Sequence, residues 1–137
     1  MSDRKIIPGS AEDWFSRAKS NLVRAQCDKP EEVFWEDLCF DAQQAVEKAF
    51  KSVLIYLGID FPYTHDVEVL ITLLKNHGLE VPEIVADAVR LTEYAVWARY
   101  PSTIEPVTEE DYQEAIRIAQ DVIDWAGLML RTPPSSS

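Results

Sequence analysis

Apolar residues recur every three or four positions along most of this chain, and short polar stretches bearing Gly or Pro separate the periodic segments. That spacing puts side chains on one face of an α-helix. A first helix is predicted from Ser10, with Asp13 three residues on as an acidic variant of the capping box. Ala11, Trp14, Phe15, Ala18, Leu22 and Ala25 form its stripe. Lys29-Pro30 closes it, because proline disfavours helical geometry in the residue before it.

The second segment, EVFWEDLCFDAQQAVEKAFKSVLIYLG, carries the strongest signal. Phe34, Leu38, Ala42, Ala45, Val46, Ala49, Phe50, Val53, Leu54 and Leu57 trace one helical face, and Gly58 suits the left-handed position after a helix end. About 24 residues give a helix of roughly 36 Å, the full height of a bundle. The small residues Ala42, Ala45 and Ala49 allow a neighbouring helix to approach closely.

A third helix is predicted to begin near Thr64 as cap, with Asp66 and Glu68 in its first turn, Val67, Leu70, Ile71 and Leu74 inward, and His77-Gly78 at its end. A fourth follows Val81-Pro82 through Val85, Ala88, Val89, Thr92, Ala95 and Val96 to about Arg99. The fifth opens at Thr108, with Asp111 three residues later, and continues through Tyr112, Ala115, Ile116, Ala119, Val122, Ile123 and Ala126. No β alternation competes with this pattern. Short connections between amphipathic helices favour antiparallel neighbours. The expected fold is all-α: an up-and-down four-helix bundle with one additional short helix, over residues 8–130, followed by a disordered tail at 131–137.

Composition narrows the function. Of 137 residues, 47% are hydrophobic, enough for a core. Twenty-four acids against 13 bases give a net charge of −11, which opposes autonomous binding to long nucleic acid. No apolar run approaches the roughly 18 residues that span a bilayer, and the N-terminus lacks the h-region of a signal peptide, so no membrane role is expected. Cys27 and Cys39 have no metal-type spacing; they are expected to pack as small buried hydrophobes in a reducing, cytoplasmic setting.

Chemical motifs are sparse. Four glycines, none paired at motif spacing, exclude a P-loop or a dinucleotide fingerprint, and no cofactor is expected. His65 and His77 are too far apart for a helical metal pair, so no metal site is expected. His65 is read as supporting a helix start, and His77 as a C-terminal residue favoured by the helix dipole. Glu47 and Lys51 read as an ordinary i,i+4 pair, and Glu109, Glu110 and Asp111 as acids favoured in a helix's first turn.

Three stretches taken in order, with AQQAVEKA (Ala42 to Ala49), Thr64-His65-Asp66 and Ala98-Arg99-Tyr100-Pro101 at their centres, resemble the HEPN domain family. The likeness spans roughly residues 10 to 130. The resemblance implies a small helical bundle, a homodimer, a nucleotide-related role and a minimal nucleotidyltransferase encoded alongside, in pairs some of which behave as toxin–antitoxin systems. Many members are metal-independent ribonucleases with an arginine followed, after four to six residues, by a histidine. Here Arg99 is the matching arginine, but Ile104, Glu105 and Pro106 stand where the histidine should fall. The expectation is therefore a non-catalytic, dimeric partner of such a transferase, with Arg99, Tyr100 and His65 as nucleotide- or phosphate-binding candidates. An atypical ribonuclease and a regulatory dimer without small ligand are the alternatives.

The segment YAVWARYP concentrates these questions. Leu91, Tyr94 and Trp97 make a second apolar stripe on the fourth helix, and a helix with two apolar faces needs two partners. A dimer interface is the expectation for these three residues, with packing inside the protomer and base stacking as the other readings. Arg99 either packs its stem and caps the helix end or receives a phosphate.

Overall fold

The computed structural model describes residues 6–94 and 106–133. Among these residues the chain is all helical, without a strand. The elements are α1 (Ala11–Ala25), α2 (Trp35–Tyr56), α3 (Val67–Asn76), a short α4 (Glu83–Ala86) running into a 3-10 turn (Asp87–Leu91), and α5 (Glu109–Arg131).

Helix starts follow local chemistry. The Ser10 hydroxyl accepts the Asp13 N–H at 3.2 Å, and the Asp13 carboxylate accepts the Gly9 N–H at 2.8 Å. Thr108 and Asp111 satisfy each other's backbone N–H at 3.1 and 3.0 Å, a complete capping box. At α2 the box is halved: Asp37 accepts the Phe34 N–H at 3.3 Å, while Phe34 has no side-chain acceptor to return the bond. Phe34, expected inward, is instead exposed at this cap. Two helices end in Schellman motifs. Ile59 N–H reaches the Leu54 carbonyl and Gly58 N–H the Ile55 carbonyl, with Gly58 at φ 73°. Leu79 and Gly78 repeat the pattern on Leu74 and Lys75, with Gly78 at φ 96°.

Four boundaries differ from expectation. α1 ends at Ala25, ahead of Lys29-Pro30, with Gln26 as its C-cap. α3 is capped by Asp66, whose carboxylate accepts the Glu68 N–H at 3.0 Å; Thr64 instead bonds the Asp66 N–H, which shifts the start to Val67. The fourth segment is no single α-helix up to its last described residues: after one turn from the Pro82 cap it tightens into the 3-10 turn before residues 92–94 resume helix. α5 reaches Arg131, the first residue of the expected tail, and residues 134–137 lie outside the described residues.

α2 is the central column. Along residues 41–54 only Gln44 and Lys48 escape full burial, because α1, α3, the 3-10 turn and α5 all pack on it. Ala42, Ala45 and Ala49 are solvent-free, and Val46, Phe50, Val53 and Leu54 fill the space between neighbours. Phe50 meets Trp125 of α5 with ring centroids 5.6 Å apart. Each large side chain so buried contributes about 1.5–3 kcal/mol. A helix on which four elements pack buries several of its polar residues too, and this sets up the site.

Candidate functional site

Gln43, Glu47 and Lys51 follow one another at four-residue steps along α2, so one face of the central helix carries an amide, a carboxylate and an ammonium. All three are buried. Lys51 Nζ lies 2.8 Å from Glu47 Oε2, and the two side chains are only 6% and 3% exposed. The Gln43 amide donates to Glu47 Oε1 at 3.4 Å. Lys51 Nζ also sits over the rings of Trp14, at 5.5 Å, and Phe61, at 5.9 Å, so α1 and the loop before α3 roof the pair. The reading of Glu47 and Lys51 as an ordinary helix-surface pair is thereby corrected. Burying such a pair removes two charges from water, and an apolar pair of similar volume would stabilise the fold as well or better.

The pair has an outlet. His65, in the same loop as Phe61, places Nδ1 3.1 Å from both Glu47 oxygens. A carboxylate only accepts, so Nδ1 carries the proton, and in the neutral ring Nε2 is left as an acceptor. The His65 side chain is 41% exposed. A buried ion pair thus fixes the orientation of a half-open imidazole. This replaces the expected role of His65 as support for a helix start; Thr64 and Asp66 do that work. Tyr63 stands beside it, 91% exposed, with its ring edge-to-face on His65 at 5.3 Å.

A second polar network joins α1 to α2. Lys48 Nζ donates to Asn21 at 2.7 Å, and Asn21 donates to Asp41 at 3.2 Å. Burial is the main cause that lowers the Lys48 pKa, with the Glu47 charge opposing. Every partner of this network is used within the bundle, so it fixes the register of two helices.

The other predicted residues fall elsewhere. Arg99, Tyr100 and Trp97 lie outside the described residues. Leu91 is 2% exposed and belongs to the protomer's own core. Tyr94 is half-buried against that core and lines a cavity of about 210 Å³ with Arg90, Asp111 and Glu114. Burial and the neighbouring Cys39 push the Tyr94 phenol up to about 12. Cys39 is buried as expected, whereas Cys27 is exposed, one residue beyond the α1 C-cap. His77 is the C-cap of α3. Among the described residues no group of three or more His, Cys, Asp or Glu is placed to hold a metal ion, and no helix is long and apolar enough to cross a membrane.

The sequence matches the HEPN domain family over residues 11–129. The chain is a HEPN domain protein. Two solved structures share its fold. An archaeal HEPN homologue, ST0689, is 29% identical, with a TM-score of 0.67, and TT1696 from Thermus thermophilus is 29% identical, with a TM-score of 0.73. In each case the alignment covers 88% of this chain and 98% of the other. No curated protein matches it. Within this HEPN bundle the site that sequence reasoning passed over is the Gln43–Glu47–Lys51 row. Nothing in the local pattern marked it: Gln44 and Lys48, with the same residue types on the same helix, stay partly exposed while Gln43, Glu47 and Lys51 are buried.

Proposed function

We propose that this HEPN protein is a non-catalytic homodimer that partners a minimal nucleotidyltransferase in a toxin–antitoxin-like pair, and that it binds a nucleotide at His65, with Arg99 and Tyr100 contributing. The observation that carries the ligand-binding part is the half-exposed imidazole held by a buried Glu47–Lys51 pair. Such a pair is a poor source of stability but a good means of fixing a polar contact. The absence of histidine after four to six intervening residues beyond Arg99 supports a binding role over the family's ribonuclease chemistry. Co-purification with a co-expressed minimal nucleotidyltransferase, light scattering for mass, and thermal shift against a nucleotide panel test this reading. A nucleotide at 100 times its Kd stabilises the fold by about 2.7 kcal/mol. A monomer that ignores both nucleotides and the transferase overturns it.

One observation favours a second reading, an atypical metal-independent ribonuclease. An imidazole oriented through Nδ1 by a carboxylate is the arrangement of a general base. Nε2 would take the proton of a ribose 2′-hydroxyl as its oxygen attacks the adjacent phosphorus; the 5′-oxygen would leave and take a proton from water. RNA of defined sequence, incubated with wild type and with His65→Asn, decides between the two. Cleavage by wild type alone establishes this reading, and intact RNA in both ends it.

A further inference from the structure

We propose that Tyr63 is a stacking platform for a nucleobase, and that the Tyr63–His65 pair recognises a base–ribose unit, the ring taking the base and the imidazole the sugar or phosphate. The inference rests on the nucleotide-binding reading of His65 and adds to it the part of the ligand that the loop selects.

Three features carry it. Tyr63 keeps 91% of its surface open, whereas Phe61 and His65, two residues to either side, are partly buried. A lone exposed aromatic is ordinary, but this one is held: its ring meets the His65 ring at 76° and 5.3 Å. His65 is in turn fixed by two 3.1 Å contacts to the buried Glu47. An orientation that begins at a buried ion pair is therefore passed through the imidazole to an open aromatic face. Base–aromatic stacking needs an accessible ring and tolerates any base identity. Lys51 offsets the charge of Glu47, the carboxylate that His65 contacts.

The same base–ribose chemistry occurs in a free nucleotide and at the end of a single-stranded RNA. The test therefore uses three probes on the full chain: AMP, ribose 5-phosphate and an eight-residue oligoadenylate, measured by calorimetry against wild type, Tyr63→Ala and Tyr63→Trp. Tyr63 is on the surface, so its variants should remain folded, which circular dichroism checks. The expected result is AMP or oligoadenylate binding that weakens about tenfold or more in Tyr63→Ala, with retention in Tyr63→Trp and ribose 5-phosphate unaffected by either change. The better of the two adenine probes identifies the source of the base. If wild type binds a nucleotide and Tyr63→Ala binds it equally well, the platform is overturned while the nucleotide reading stands. If wild type binds none of the probes, both fall together.

Discussion

The Nδ1 atom of His65 lies 3.1 Å from each carboxylate oxygen of Glu47, across 18 residues of sequence. The contact joins the loop before α3 to the middle of the central helix. It makes the conformation of an exposed loop depend on a charge that water does not reach.

That dependence gives the first prediction. Glu47→Ala strands the Lys51 ammonium in a buried site and should cost about 3–5 kcal/mol in urea unfolding. The double variant Glu47→Leu with Lys51→Met removes both charges and should recover most of that loss. It should nevertheless lose nucleotide affinity, since nothing then orients His65. A double variant as unstable as the single one would show that the pair itself stabilises the bundle.

The two cysteines should differ in reactivity. Cys27 is exposed, while Cys39 is buried, and burial, assisted by the Asp111 and Glu36 carboxylates, pushes its thiol up to about 12. The thiolate is the reactive form. A thiol reagent at pH 8 should label one cysteine in the native protein and two after denaturation. Rapid labelling of both in native protein would contradict the packing of Cys39.

The same thiol makes stability fall in alkali. Its folded pKa, about 12, lies above the ordinary value of 9.0, so between these limits the unfolded chain has released a proton that the folded chain retains. Stability from this group is complete below pH 9 and is lost as pH rises towards 12. The raised phenols of Tyr94 and Tyr112 act in the same direction above their ordinary value of 10.0. Cys39→Ala should flatten the decline in unfolding free energy between pH 9 and 10, measured by denaturant titration at each pH.

Gly58 occupies φ 73° with open space around the position of a Cβ. Gly58→Ala therefore meets only backbone strain and should cost about 1–2 kcal/mol. Gly78→Ala, at φ 96° and equally open, should behave alike, each read from the shift in urea midpoint.

Helix existence, the Ser10 and Thr108 caps and both Schellman glycines were legible in the chain because they depend on neighbours within about four residues. Ser10 with Asp13, Thr108 with Asp111, and Gly58 after Leu57 need no distant partner. Where two local solutions competed, the reading slipped: Thr64 and Asp66 both suit a cap, and the choice fell to Asp66. The site was less legible. Glu47 and Lys51 have the spacing of a solvent-facing pair, and nothing local separates that from a buried one. Leu91 looked available for a second chain until the 3-10 turn rotated it into the core.

The sequence by itself determined an all-α HEPN bundle, the caps at Ser10 and Thr108 and the missing histidine beyond Arg99, since periodicity, capping and spacing are properties of the chain. Only the tertiary structure decided that four elements pack on α2 and bury Gln43, Glu47 and Lys51. Burial changes the dielectric around Glu47 and Lys51, and the packing brings His65, with Tyr63 beside it, onto the Glu47 carboxylate. Those relations depend on which helices pack together, which no local pattern encodes.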